Sequence, residues 1–273
     1  MPKRLVAIAL AAVLALGLTP MPSQRAHAAD LAAGVATQAG TTSVYVITSS
    51  TTKSKHVDAE SASSYTTKFK YNESGLQSSA AARDFTSKYA YKDGKLVKID
   101  DINTKTIVKY NNAGKAVSST TTSEDGSTKR KYIYDKKGHL AAYSVTYRGG
   151  GVIKYSFAYN KKSLPVKAKI RTRSGDFITT STYSYAYDKR GNLKTAKIGS
   201  ASVRSFANAY DKRGLLTEQT RVDNDRSYTT TYTYKKLTVS KAYAAAIKAQ
   251  QWNLRNPAVT FGGGFVAGVC PDV

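Results

Sequence analysis

The chain predicts an all-β fold: an antiparallel up-and-down meander of repeated β-hairpins, about sixteen strands in all, followed by a short C-terminal helix. Three observations predict it. A phrase of nine residues recurs, tyrosines alternate with small residues in its copies, and a turn signal follows each alternation. Tyr132 to Leu140 reads Y-I-Y-D-K-K-G-H-L. It returns as Y-A-Y-D-K-R-G-N-L at Tyr185 to Leu193 and as A-Y-D-K-R-G-L-L at Ala209 to Leu216. Weaker copies start at Lys70, Tyr89, Lys109, Ala158 and Tyr232. The anchor tyrosines Tyr71, Tyr91, Tyr110, Tyr134, Tyr159, Tyr187, Tyr210 and Tyr234 are 19 to 28 residues apart. A period of this size marks a repeat architecture.

The elements follow in order. Residues 1–28 read as a signal peptide: Lys3 and Arg4, the apolar run Leu5 to Leu18, and the small-x-small site Ala26-His27-Ala28, with cleavage expected after Ala28. The apolar run is too short to span a membrane, and no second run of spanning length occurs. No cysteine ends the run, so a lipoprotein anchor is not expected. Residues 29–42 are small and polar and read as a flexible segment, and Ser43 to Ile47 as an opening strand. The repeat domain covers 43–239. Within each copy, tyrosines such as Tyr183, Tyr185 and Tyr187 share one strand face. An Asp or Asn then opens a turn by accepting backbone hydrogen bonds, and a Gly supplies positive φ at its fourth position. Asp135 with Gly138, Asp188 with Gly191, and Asp211 with Gly214 are the structural turn residues. The segments 124–127, 148–151, 173–176, 199–201 and 223–226 read as the opposite turns. Ser240 to Gln251 is alanine-rich with a serine N-cap, which predicts a helix capping the last hairpin (240–252). Residues 253–273 form a glycine-rich tail, expected to be flexible and without an assigned role.

Leu, Ile, Val and Phe make up under a fifth of the mature chain, a composition seen in disordered proteins. The 20 tyrosines, all beyond residue 28 and set at period-two spacing, argue for a fold instead. With apolar volume scarce, the expected sheet is open, curled or partly closed, leaving a tyrosine-lined trough. A membrane barrel is disfavoured, since the face opposite the tyrosines is Ser, Thr and Lys rather than an apolar band.

The Y-x-Y-D-x-x-G-x-L core resembles the YD-repeat, or rearrangement-hotspot (RHS), family of bacterial secreted and surface proteins. It stands nearly whole at 132–140 and 185–193, and the resemblance covers roughly 65–237. His139 and Asn192 stand where the family pattern usually has Arg, and the second Gly of that pattern is irregular here. The resemblance implies a β-repeat shell or an extracellular ligand-binding stretch. The array looks too short to enclose a toxin, and the segment after residue 237 too small to be one.

The formal net charge is +24, and removing Lys3, Arg4 and Arg25 leaves +21. Such a charge attracts polyanions: anionic wall polymers, anionic lipids or nucleic acid. Catalytic signals are weak. One cysteine, Cys270, supports neither a disulfide framework nor a cysteine-rich metal site. His56 and His139 are the mature histidines, His139 reading as an exposed strand residue. No nucleophile elbow or P-loop appears. The expectation is a protein that is not an enzyme, with no metal and no cofactor.

In four consecutive copies the middle turn residues are basic: Lys136-Lys137, Lys161-Lys162, Lys189-Arg190 and Lys212-Arg213. Tips of one type emerge on one edge of a meander, roughly 10 Å apart at about 4.8 Å per strand. Simple tolerance of Lys and Arg at exposed turn positions explains the pattern equally well. The reading is a secreted, surface-associated protein binding a polyanionic or glycan component of the cell envelope. The alternatives are a structural or assembly protein joined through hairpin edges, with a protein partner and no small ligand, and third, extracellular nucleic-acid binding.

Overall fold

The computed structural model describes residues 40–56, 62–83, 85–199, 202–223, 226–256 and 259. The expected signal peptide, residues 29–39 of the N-terminal segment, nearly all of the tail and Cys270 lie outside the described residues. The strands are β1 (Thr41–His56), β2 (Ala62–Tyr71), β3 (Gln77–Ala82), β4 (Phe85–Lys92), β5 (Lys95–Asp100) and β6 (Lys105–Tyr110). Next come β7 (Ala116–Ser123), β8 (Gly126–Tyr134), β9 (Leu140–Thr146), β10 (Val152–Tyr159) and β11 (Pro165–Ser174). The last are β12 (Phe177–Tyr187), β13 (Leu193–Ile198), β14 (Ser202–Tyr210), β15 (Leu216–Asp223) and β16 (Arg226–Ser240), with helix α1 at Lys241–Arg255. Each strand pairs antiparallel with its sequence neighbours, and β1 pairs with β16 to close a barrel.

Alternation sorts the side chains. Along β4, Ser87 and Tyr89 are buried while Lys88, Ala90 and Lys92 are exposed. The repeat tyrosines thus face inward, and the outer wall is largely Lys, Ser and Thr with scattered apolar residues such as Ile107 and Ile133. The expected open sheet is therefore corrected to a closed one, and the expected tyrosine trough becomes the barrel interior. Closure also leaves no edge strand in the sheet, so assembly through free hairpin edges has no edge to use.

The eighth copy explains the closure. Tyr232 to Leu237 has neither the Asp nor the Gly of a turn, and β16 runs straight through it to Ser240. Tyr234 pairs with Ile47 of β1, as Tyr134 pairs with Leu140 and Tyr187 with Leu193. The first strand of the chain supplies the return strand that the last copy lacks.

Tyrosine hydroxyls stitch the same rim. Pairing between each return strand and the next outgoing strand stops short of the rim, at Ala142↔Ser156 for β9 and β10, for example. This leaves a carbonyl without a ladder partner, and the next anchor tyrosine donates its hydroxyl to it. Tyr71 bonds Ile47, Tyr91 Gln77, Tyr110 Leu96, Tyr134 Ala116, Tyr159 Leu140, Tyr187 Pro165 and Tyr234 Leu216, at 2.5–2.9 Å. The donor is one hairpin's anchor, and the acceptor residue is the partner of the previous anchor. Burial pushes the hydroxyls of Tyr71, Tyr91, Tyr110, Tyr159 and Tyr187 well up and that of Tyr234 to about 12, so they remain protonated donors at neutral pH.

Helix α1 lies across this mouth. Tyr243 packs on Gly94 in the β4–β5 turn, and Trp252 donates its indole N–H to Gly191 O at 2.9 Å in the β12–β13 turn. Those turns sit half the sixteen-strand circumference apart. A run of this length rises about 1.5 Å per residue, some 20 Å from end to end. Its buried amides satisfy strand N–H groups at the rim: Gln251 Oε1 accepts from Ile47 at 2.7 Å, Gln250 Oε1 from Gln77 at 3.3 Å, and Asn256 Oδ1 from Leu193 at 2.7 Å. Ser240 caps the helix, its side chain accepting from Ala242 N. The helix starts where expected but extends past 252, and it plugs the barrel rather than covering one hairpin.

Candidate polyanion-binding rim and cleft

The turns after β8, β10, β12 and β14 share one conformation. The Oδ1 of Asp135 accepts from Lys137 N and His139 N at 2.9 and 2.8 Å. Asp188 accepts from Arg190 N and Asn192 N at 2.9 and 3.0 Å, and Asp211 from Arg213 N and Leu215 N at 2.9 and 3.0 Å. Asn160 plays the same part for Lys162 N and Leu164 N. Gly138, Gly191 and Gly214 have φ of 89°, 76° and 81°, which a side chain resists. These turns all lie on the rim that α1 plugs.

The locked frame presents the middle residues outward. Lys136, Lys137, Lys161, Lys162, Lys189, Arg190, Lys212 and Arg213 are all exposed. They are not equivalent. Arg213 bonds Asp211 at 2.6 Å and lies over the Tyr45 ring, 5.0 Å from its centroid. Arg190 lies over Tyr210 at 4.3 Å. The arginines are thus held flat against the rim, whereas the six lysines stand at exposed turn positions.

His139 corrects an expectation. It is buried at 7% exposure rather than an exposed strand residue. Its Nδ1 meets Asp135 Oδ2 at 3.0 Å, its Nε2 meets Ser163 Oγ at 2.9 Å, and its ring stacks on Tyr159 at 4.7 Å. The neighbouring hairpin tip covers it, which a single repeat cannot reveal. Burial works to raise the Asp135 carboxyl, but the backbone and ring donors of His139 and the Lys137 N–H outweigh it and hold the carboxyl below its ordinary range.

A cleft of about 520 Å³ opens on this rim between β13 and β14, lined by Asp188, Lys189, Arg190, Lys194, Phe206 and Asn208, with Ala207 and Tyr210. It lies where the tyrosine stitching breaks. In its copy the sequence reads A-N-A-Y-D, so Asn208 stands where Tyr132 and Tyr185 stand in theirs. The amide of Asn208 donates to Leu193 O at 3.1 Å and to Asp188 Oδ2 at 3.0 Å. With that carbonyl occupied, the Tyr210 hydroxyl turns to Asp188 and accepts from Asn192 Nδ2 at 2.9 Å. Burial and the Asp188 contact push Tyr210 up to about 12. The cleft thus combines two aromatic side chains, three cations and one carboxylate already engaged by four donors. Sequence reasoning missed Lys194, Phe206, Asn208 and Tyr210, and the substituted tyrosine was the signal that marks them.

Inside the opposite mouth, Asp223 bridges Arg204 and Arg221 at 3.3 and 3.2 Å. Of the expected opposite turns, residues 200–201 and 224–225 lie outside the described residues. Among the described residues, no cluster of three His, Cys, Asp or Glu is placed to hold a metal, and no helix is long and apolar enough to cross a membrane.

No protein-family model matches the chain, and no curated protein sequence does. Solved structures are similar to it. A porin-like protein from Bacteroides uniformis ATCC 8492 superposes with a TM-score of 0.50 at 14% identity, over 69% of this chain and 96% of that one. A porin-like protein from Bacteroides vulgatus ATCC 8482 gives 0.48 at 10%, over 69% and 98%. A chain of the Photorhabdus luminescens Tc holotoxin pore gives 0.29 at 13%, over 64% and 14%. At these identities the first likeness is one of fold.

Proposed function

We propose that this is an exported, cell-envelope-associated β-barrel of YD-type repeats that acts without catalysis and binds a polyanionic or glycan component of the envelope. The observation that carries the reading is the row of basic pairs at turn tips locked by Asp, Asn and Gly on one rim. Each of the four tips carries two cations beside at most one turn carboxylate, so the field at the rim is positive. The cleft beside Asn208 adds a place for one residue of such a polymer, with Lys189 and Lys194 for an anionic group.

Two features speak against transport through the barrel. Helix α1 crosses one mouth, and the outer wall carries Lys68, Lys88, Lys109, Lys131 and Lys169 at strand positions where a lipid-facing barrel has its apolar band. The decisive experiment is co-sedimentation of the mature chain with purified cell walls across a salt series, with and without their anionic polymers. Retention that falls with salt and disappears with the polymers is expected. Substituting Lys136, Lys137, Lys161 and Lys162 by Ser should weaken retention and flatten its salt dependence. Retention unaffected by salt, by the polymers and by these substitutions would move the search to protein partners.

A further inference from the structure

The register of the strands assembles a second row of cations that no single repeat shows. Lys109 of β6 faces Ser118 of β7, which faces Lys131 of β8. Lys131 faces Ser144 of β9, Ser144 faces Lys154 of β10, and Lys154 faces Arg171 of β11. All four basic residues are exposed and the two serines are half-buried. Each basic residue sits between inward-facing neighbours, Lys131 between Arg130 and Tyr132 at 9% and 6% exposure, for instance. The row therefore lies on the outer wall. Strands β6 to β11 contain no Asp or Glu at all.

We infer that this row is a binding track for a linear polyanion, lying on the barrel wall and separate from the turn tips. The inference rests on the same polyanion reading and adds a surface to it. Three points carry it. First, Lys109, Lys131 and Lys154 recur every second strand, roughly 10 Å apart at about 4.8 Å per strand, with serine hydroxyls between them to donate to anionic oxygens. Second, Lys154 and Arg171 stand directly opposite each other. Like charges in that position destabilise a sheet, and a bound anion converts this repulsion into attraction. Third, the row crosses five of the sixteen strand steps, nearly a third of the circumference. It follows the hydrogen-bond direction and so winds obliquely round a convex wall. A flexible strand of charges can follow such a path. A flat lipid surface touches only part of it.

The test measures binding of inorganic polyphosphate to the mature chain by fluorescence anisotropy across a salt series, beside single-stranded DNA and anionic phospholipid vesicles. Two variants are compared: the wall variant, with Lys109, Lys131, Lys154 and Arg171 changed to Ser, and the rim variant, with Lys136, Lys137, Lys161 and Lys162 changed to Ser. A basic residue near an anionic surface contributes about fivefold, so the wall variant, losing four, should bind several hundredfold more weakly and show a shallower salt slope. Lys154→Ser alone should raise the melting temperature of the unliganded protein while lowering affinity, opposite signs that loss of a merely structural residue does not give. Polyphosphate binding with DNA binding supports a track that reads charge alone, and polyphosphate without DNA supports one that reads the polymer as well. Wall-variant affinity equal to wild type overturns the track, and if the rim variant then loses binding the rim reading stands alone. A loss confined to the wall variant overturns the rim instead. Binding to vesicles but not to polyphosphate overturns the track as well.

Discussion

Trp252→Ala tests whether α1 is an integral plug or a loosely laid strap. The indole is 2% exposed, and its N–H donates to Gly191 O across the mouth. A tryptophan buries roughly 150–250 Å², which at about 25 cal/mol per Å² corresponds to about 4–6 kcal/mol as an upper bound. Measured Trp→Ala changes in cores cost about 3–5 kcal/mol, and the lost hydrogen bond is worth about 1 kcal/mol on its own. A total near 4 kcal/mol is a large fraction of the roughly 5–15 kcal/mol that holds a domain folded. With a urea m-value of about 2–3 kcal/mol/M, the midpoint should fall by about 1.3–2 M. The assay is urea unfolding followed by far-ultraviolet circular dichroism. Trp252→Phe serves as a control, retaining most of the packing and losing only the donor. Because Trp252 is the sole tryptophan, wild-type indole fluorescence reports the docking directly. A midpoint drop below about 0.4 M, equivalent to about 1 kcal/mol, would show that the helix contributes little and that the mouth is not sealed by it.

The tyrosine ring makes a graded prediction: Tyr159→Phe and Tyr187→Phe should each cost about 1–3 kcal/mol by leaving a rim carbonyl unpaired, whereas Tyr65→Phe, 43% exposed, should cost almost nothing in the same urea assay. Buried tyrosines also set an alkaline limit. Burial raises Tyr155, Tyr210 and Tyr234 to about 12 in the folded chain, above the ordinary tyrosine value of 10.0. The unfolded chain therefore releases these protons first, so their contribution is intact below pH 10 and is lost progressively between about pH 10 and 12; ultraviolet titration should show buried tyrosinate appearing together with unfolding rather than before it. Gly75→Ala should destabilise by about 2–3 kcal/mol, since φ is 79° and the added Cβ meets Val239 Cγ1 at 2.5 Å. Gly149→Ala, whose Cβ meets nothing within 4 Å, should be neutral by thermal melting.

The hairpins were legible because each is a local affair. Asp188, Arg190 and Gly191 specify their turn within five residues, and Tyr185 and Tyr187 specify the inward face. Closure was not legible from any one repeat. It depends on Ile47 meeting Tyr234 across 187 positions, and the hint was an eighth copy without a turn beside a first strand without a hairpin. The scarcity of Leu, Ile, Val and Phe argued for an open sheet, yet inward tyrosines and a crossing helix seal the mouth, with phenol hydroxyls paid out to carbonyls rather than to water. The burial of His139 likewise comes from Ser163 and Tyr159 of the next hairpin, which sequence spacing does not place against it. The eight tip cations were visible as a pattern, but the flattening of Arg190 and Arg213 against aromatic rings was not. The cleft lay hidden in one asparagine.

The division of one repeat between the two ends of the sheet has a consequence for how the chain reaches its final form. Successive hairpins can pair as soon as they emerge, because each needs only its neighbour. The seam between β1 and β16 cannot, and bringing residues so distant together carries the largest loop-closure cost in the sheet. The first strand therefore waits for the last. A chain cut short before Arg226 can fold its hairpins and still never become a barrel, so completeness of synthesis is read out by the closing of the ring itself.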